Sequence, residues 1–168
     1  MERSVLIRAG VRGDLPALTE IYNHYVKTSV VTFDLETKSV DQRVAWFEQF
    51  DTAGPYRLLV AERDSMLLGY ACSARFRPKP AYDRSVETSV YLAPGIEGGG
   101  IGTALYSELF ATLEHERVHR AYGIVALPND ASRHIHLKFG FESLHTLSEV
   151  GYKFDRYVDT EWFEKKFA

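Results

Sequence analysis

A single cysteine, Cys72, stands among 168 residues, so no internal disulfide can hold this chain together. It falls in an apolar run of β type, which suits a small packed side chain better than a nucleophile. Basic clusters are also lacking. With 20 Lys and Arg against 23 Asp and Glu, the formal charge of -3 argues against a nucleic-acid binder. No uninterrupted apolar run is long enough to span a bilayer, and the N-terminus lacks the apolar segment of a secretory leader, which points to a cytoplasmic protein without a membrane partner. Repeats, linkers and low-complexity tracts are missing too, so the chain, 45% of it hydrophobic, reads as one domain able to bury a core.

What is present alternates between strand and helix signals. Leu6 to Ala9 reads as a first strand. Asp14 is placed to cap a helix that starts at Leu15-Pro16, shows Leu15, Leu18, Ile21, Tyr22 and Tyr25 on one face, and ends near Lys27. Ser39 and Gln42 fit a capping box ahead of Val40, Val44 and Phe47, giving a second helix that stops before Gly54-Pro55. Arg57 to Glu62 and Met66 to Arg77 read as an antiparallel pair around Arg63-Asp64-Ser65, and Val86 to Leu92 extends the sheet. Ile101, Leu105, Leu109 and Leu113 recur every four residues as the buried stripe of a third helix. Tyr122 to Leu127 is the next strand. Asp130 is placed to cap a short fourth helix that Gly140 ends, and two closing strands run from Phe141 to Val150 and from Arg156 to Phe167.

Between the Val86 strand and the third helix lies Glu97-Gly98-Gly99-Gly100-Ile101-Gly102, a glycine loop opening directly into a helix. Such a loop lets backbone approach a ligand closely, while the unpaired N–H groups of the helix start favour an anion such as a phosphate or pyrophosphate. A P-loop is excluded, because Ile101 stands where its lysine would follow Gly100. A dinucleotide fingerprint fits poorly, since Leu105 occupies the place of its third small residue and the loop lies in mid-chain.

The loop resembles the coenzyme A loop of the GNAT acetyltransferases, Gln/Arg-x-x-Gly-x-Gly/Ala, matching both glycines and departing at Glu97. Across nearly the whole chain, the segments Ile21 to Val26, Ala81-Tyr82, Glu87 to Tyr91, Leu127 to Ser132 and Gly151-Tyr152-Lys153 are similar to the phosphinothricin and methionine sulfoximine N-acetyltransferase branch of that superfamily. The resemblance implies a single α/β domain over residues 1–168. Its sheet would be mixed and mostly antiparallel, with flanking helices and two central strands that splay apart to admit acetyl-CoA. It implies a small amine or amino-acid acceptor, no metal, and a homodimer.

Site residues follow from the same resemblance. Acetyl transfer to an amine needs a base, to make the nucleophile neutral, and donors for a developing oxyanion. Glu87 matches the general base, and His136, four residues before Gly140, matches the group expected to donate a proton to the leaving sulfur or assist deprotonation. His134, two residues away, belongs on another helix face. Backbone N–H groups of Val90, Tyr91 and Leu92 would meet the acetyl carbonyl and pantetheine arm. The loop from Glu97 through Gly98, Gly99, Gly100, Ile101 and Gly102 to Thr103 would surround the pyrophosphate. The Glu97 carboxylate is expected to turn to solvent. Asn129 and Ser132 match further coenzyme A contacts, and double equally well as turn and capping residues. For the acceptor, Arg75, Arg77, Tyr82 and Lys153 form a cationic and aromatic set able to hold a carboxylate, and Phe33 matches a bordering aromatic. Tyr157-Val158-Asp159 departs from the Trp-His-Asp of herbicide-detoxifying members. Two other functions stay open on sequence alone: an N-terminal acetyltransferase of proteins or peptides, and an acyl-CoA sensor without catalysis.

Overall fold

Alternation of side chains along the strands sorts the core into two layers, one on each face of a single sheet. The computed structural model describes residues 4–168. Its seven strands are β1 (Leu6–Ala9), β2 (Arg57–Arg63), β3 (Met66–Arg75), β4 (Ser85–Leu92), β5 (Arg120–Ala126), β6 (Glu142–Lys153) and β7 (Arg156–Lys166), in the order β1-β2-β3-β4-β5-β7-β6. Neighbours are antiparallel except β4 and β5, which run parallel. The helices are α1 (Leu15–Thr28), α2 (Val40–Phe47), α3 (Ile101–Leu113) and α4 (Asp130–Lys138).

Leu59, Ala61, Ala71 and Val86 point to the face where Ile101, Leu105, Leu109 and Leu113 of α3 are buried, so the four-residue stripe does what its spacing requires. Leu58, Val60, Tyr70 and Cys72 point the other way, beneath Leu18 and Ile21 of α1 and Trp46 and Phe47 of α2. Cys72 is fully enclosed there, and burial pushes its thiol up to about 12, which leaves it inert at neutral pH. The hairpins β2–β3 and β6–β7 turn on two residues with positive φ, Asp64 and Ser65 in the first and Phe154 and Asp155 in the second. This left-handed pairing matches the twist of the flanking strands.

The capping box of α2 is formed: Gln42 N–H donates to Ser39 Oγ at 3.2 Å, and Ser39 N–H to Gln42 Oε1 at 2.8 Å. Two other caps differ from expectation. Asp14 does not cap α1. Its carboxylate accepts from the Val11 N–H at 2.8 Å and pairs with Arg8 at 2.8 Å, while Arg8 also reaches Glu62 at 2.6 Å, so the group ties β1 to β2 and to the turn before α1. Asp130 is already inside α4. Asn129, just outside the helix, is the residue whose side chain accepts from the Ser132 N–H at 3.0 Å. Two strand ends also differ: β3 stops at Arg75, ahead of Pro78 and Pro80, which offer no ladder N–H, and β6 runs on to Lys153.

Hydrogen bonding by Arg8 holds the Asp14 carboxyl below its ordinary range. A depressed folded pKa contributes stability that is full above the unfolded value, about 3.9, and is lost as pH falls through the folded one. Asp14→Asn is therefore expected to cost about 1.5–3 kcal/mol at pH 7 by urea denaturation. The gap to the parent should close as pH falls below the ordinary carboxyl range. A gap that stays constant over that range contradicts this role.

Candidate active site

Strands β4 and β5 pair at three positions only: Ser85 with Arg120, Val86 with Ala121 and Glu87 with Tyr122. Beyond Glu87 they part, while β3 stays with β4 as far as Leu92 and β7 stays with β5 as far as Ala126. The outer neighbours hold the gap open. The β4 backbone groups of Val90 and Leu92 that face it have no strand partner, an edge able to accept an extended ligand. The gap is a cavity of about 340 Å³ lined from both faces of the sheet, by Ser89, Tyr91 and Ile124 on the α1 face and by Val90, Val125 and Tyr106 on the α3 face.

The glycine loop closes one end. Gly98 and Gly100 have φ of 83° and 75°, and a β-carbon at either would meet nothing within 4 Å, so backbone conformation rather than crowding demands glycine there. Gly100 caps α3 without a side chain, which leaves the first N–H groups of a 13-residue helix facing the open side of the loop. Of the loop, Glu97 and Gly102 line the cavity, and Gly98, Gly99 and Gly100, between them in sequence, are outside its lining. Ile101 contributes backbone only, its side chain being buried in the core, and Thr103 is outside the cavity lining. Glu97 is exposed at the rim. Leu92, Asn129 and Ser132 also line the cavity, so the cap of α4 faces the same space.

Glu87 sits where the strands part, on the face of Ser89 and Tyr91. Burial raises its carboxyl pKa, and the nearby Arg77 charge opposes that shift only in part. A carboxylate so placed is a stronger base than an exposed one.

His136 is buried, stacked on Phe163 with centroids 5.2 Å apart. Its Nδ1 lies 2.7 Å from the Ser132 carbonyl, which can only accept, so Nδ1 carries the proton and Nε2 the lone pair. Nε2 has no partner and abuts the backbone of β5, where a β-carbon at Gly123 would lie 2.2 Å from it. Burial lowers the pKa, favouring the neutral ring. Proton donation by His136 to a leaving sulfur does not fit this geometry. His134 is exposed.

The expected acceptor set is divided. Register places Arg75 opposite Val86, on the α3 face, where it meets Asp83 at 3.4 Å and the Tyr56 ring. Arg77, beyond the strand end, keeps to the Glu87 side, with its guanidinium 4.3 Å from the Phe76 ring centre and 5.9 Å from that of Trp162. Phe76 stacks on Tyr122 and meets the edge of Tyr82. Lys153 is buried and donates to the Thr32 carbonyl at 2.8 Å, beside Phe33, so it is an anchor rather than an open cation.

Residues that the pattern alone did not mark are Tyr25, Val31, Tyr106 and Arg43. Tyr25 was visible only as part of an apolar helix face, yet its hydroxyl donates to the Leu92 carbonyl at 2.7 Å and its ring lines the cavity. Arg43 is buried between Tyr22 and Trp46, 4.3 Å and 3.7 Å from the ring centres, and supports the Tyr70–Tyr91 stack behind β4. No sequence signal separates it from a solvated helix arginine.

Comparison with known proteins bears on what this gap holds. Residues 18–141 match the Acetyltransferase (GNAT) family. The phosphinothricin N-acetyltransferase of Streptomyces coelicolor is 48% identical over 163 residues, covering 96% of this chain and 95% of that protein. The L-methionine sulfoximine/L-methionine sulfone acetyltransferase of Salmonella typhimurium is 32% identical over 94% of this chain and 92% of its own. The structure of yncA, described as an acetyltransferase from Salmonella typhimurium with its cofactor acetyl-CoA, superposes with a TM-score of 0.94 at 31% identity, covering 99% of this chain and 95% of that one.

The His136 tautomer is directly measurable. Long-range nitrogen–proton correlation spectra are expected to show Nδ1 protonated and Nε2 bare at pH 7, with the ring titrating below about 6.5. A protonated Nε2 or an imidazolium at pH 7 restores His136 as an acid.

Proposed function

This chain belongs to the GNAT acetyltransferase family, and from that premise we propose that it acetylates the amine of a small amino-acid analogue of the phosphinothricin or methionine sulfoximine type. It is an acetyl-CoA-dependent N-acetyltransferase. The observation that carries the acceptor reading is the placement of Glu87 where β4 and β5 part, on the face opposite α3 and α4, near enough to Arg77 to feel its charge.

The residues present fit acetyl-CoA. Loop amides from Gly98 to Gly102 and the start of α3 suit a pyrophosphate, the free edge of β4 suits an amide-bearing arm, and Asn129 and Ser132 border the same cavity. When bound, acetyl-CoA supplies a thioester acyl group with a weakly basic sulfur. The N–H groups of Val90 and Leu92 are donors for an oxygen placed in the gap, whereas that of Tyr91 turns to its β3 partner Tyr70. Glu87 takes the proton of the acceptor amine, directly or through one water, and its raised pKa gives it a higher proton affinity than an exposed carboxylate. Arg77 is the cation on this side for an acceptor carboxylate, whereas Arg75 is engaged with Asp83. His136 shapes the wall of the gap and offers no proton to it.

A second copy of the chain is the proposed partner. Leu144, Leu147, Val150, Tyr152 and Tyr157 of the β6–β7 hairpin are exposed apolar or aromatic groups, more than a solvated edge requires. Among the described residues no helix is long and apolar enough to cross a membrane, and a cytoplasmic site of action is the companion proposal.

Thiol release from acetyl-CoA across amino acids, their sulfoximines, polyamines and short peptides tests the acceptor class. Methionine sulfoximine is expected to outperform its methyl ester, with Arg77→Ala narrowing that preference far more than Arg75→Ala. Equal use of acid and ester, or preference for peptides, overturns the reading. Glu87→Gln is expected to lower kcat about 100-fold with acetyl-CoA affinity nearly unchanged. Full activity at neutral pH excludes Glu87 as the base.

A further inference from the structure

Strand β6 is exposed from Glu142 to Val150 and then buries two residues, Gly151 and Lys153. The change comes from a bulge between Leu147 and Gly151, opposite Thr160 and Val158. Within it Glu149 takes a φ of 53°, and its N–H donates to Asp159 Oδ1 at 2.7 Å. The extra residues re-aim the end of the strand towards the segment that joins α1 to α2.

That segment is gripped from two sides. From the hairpin, Lys153 Nζ donates to the Thr32 carbonyl at 2.8 Å across 121 residues of sequence. The Phe33 ring lies so close on Gly151 that a β-carbon there would stand 2.3 Å from Cζ. From α1, Tyr22 Oη meets Thr32 Oγ1 at 2.8 Å and donates to Asp34 Oδ2 at 2.8 Å. Between these ties Val30 packs with Ala126 and Val158, and Val31 lines the cavity. One wall of the gap therefore stands where the hairpin puts it.

We propose that Gly151 and Lys153 are positioning residues for acceptor selection: the β6–β7 hairpin latches the segment 31–33 and so fixes Val31 in the wall of the gap and Phe33 two residues further along. This rests on the small-acceptor reading above. Glycine at 151 is what lets the Phe33 ring lie flat on the hairpin, and a side chain there drives the ring away. Lys153 works through the Thr32 carbonyl and does not touch the acceptor. Gly151, Lys153 and Phe33 lie outside the lining of the cavity, and of the latched segment only Val31 reaches it, so acetyl-CoA binding is expected to change less than acceptor binding.

The test is a double-mutant cycle of Gly151→Ala and Phe33→Ala with Lys153→Met beside it. Steady-state kinetics with methionine sulfoximine, calorimetric titration with acetyl-CoA and thermal denaturation are the readouts. Gly151→Ala and Lys153→Met are each expected to raise the acceptor KM about tenfold or more, with kcat less affected and acetyl-CoA affinity within about twofold of the parent. The double variant should match Phe33→Ala alone, because removing the ring removes the clash, and such non-additivity marks residues in contact. Additive losses, an unchanged acceptor KM, or acetyl-CoA affinity falling in step with acceptor binding overturns the latch. If Gly151→Ala does not fold, the KM split in Lys153→Met decides. A parent that acetylates no amino acid or analogue removes the small-acceptor reading itself, and the latch with it, before any variant is compared.

Discussion

Strands β4 and β5 lie side by side for three residues and then separate, each held on its far side by an antiparallel neighbour. Everything functional depends on that separation. A sheet edge in the middle of a fold leaves backbone donors and acceptors without partners, and such groups are costly unless a ligand or water meets them. Here the unpaired edge faces a cavity instead of a packed core, and the two helices that follow β4 and β5 both begin at its rim. The glycine loop adds N–H groups that no side chain satisfies. The fold thus gathers donors around one slot and leaves a single half-buried carboxylate, Glu87, where the slot closes.

Burial acts in opposite directions on Glu87 and His136. It makes Glu87 a better base, because the charged form is disfavoured and the proton is held more tightly. It leaves His136 with no proton to give at neutral pH, because the neutral ring is favoured and its one proton is committed to the Ser132 carbonyl. Both shifts come from the same desolvation. The same environment thus strengthens the Glu87 carboxylate as a proton acceptor and keeps the His136 ring neutral with its proton on Nδ1.

Much of this was legible in the sequence, wherever local spacing decides structure. The stripe Ile101, Leu105, Leu109 and Leu113 is buried as its spacing requires, the Ser39–Gln42 box forms, and Gly140 ends α4 with a positive φ. The splay itself followed from the family pattern. Less legible were features set by register and long-range contact. Arg75 and Arg77 are two residues apart and look equivalent, yet the strand ends between them and only Arg77 stays with Glu87. Lys153 read as an open cation, because nothing local announces a bulge fixed by Asp159 or a carbonyl 121 residues away. Asp14 read as a cap, because its partner Arg8 lies on a strand whose proximity only the fold creates.

Hydrogen exchange of the backbone amides, with and without acetyl-CoA, tests the central claim most directly, since it reads the unpaired edge itself. The slot accounts for cofactor binding if amides between Thr88 and Leu92 and between Gly98 and Thr103 slow markedly on addition of acetyl-CoA, while those of the β6–β7 hairpin hold their rates. Protection that leaves both of these segments unchanged would contradict it, and would place the cofactor outside the gap between β4 and β5.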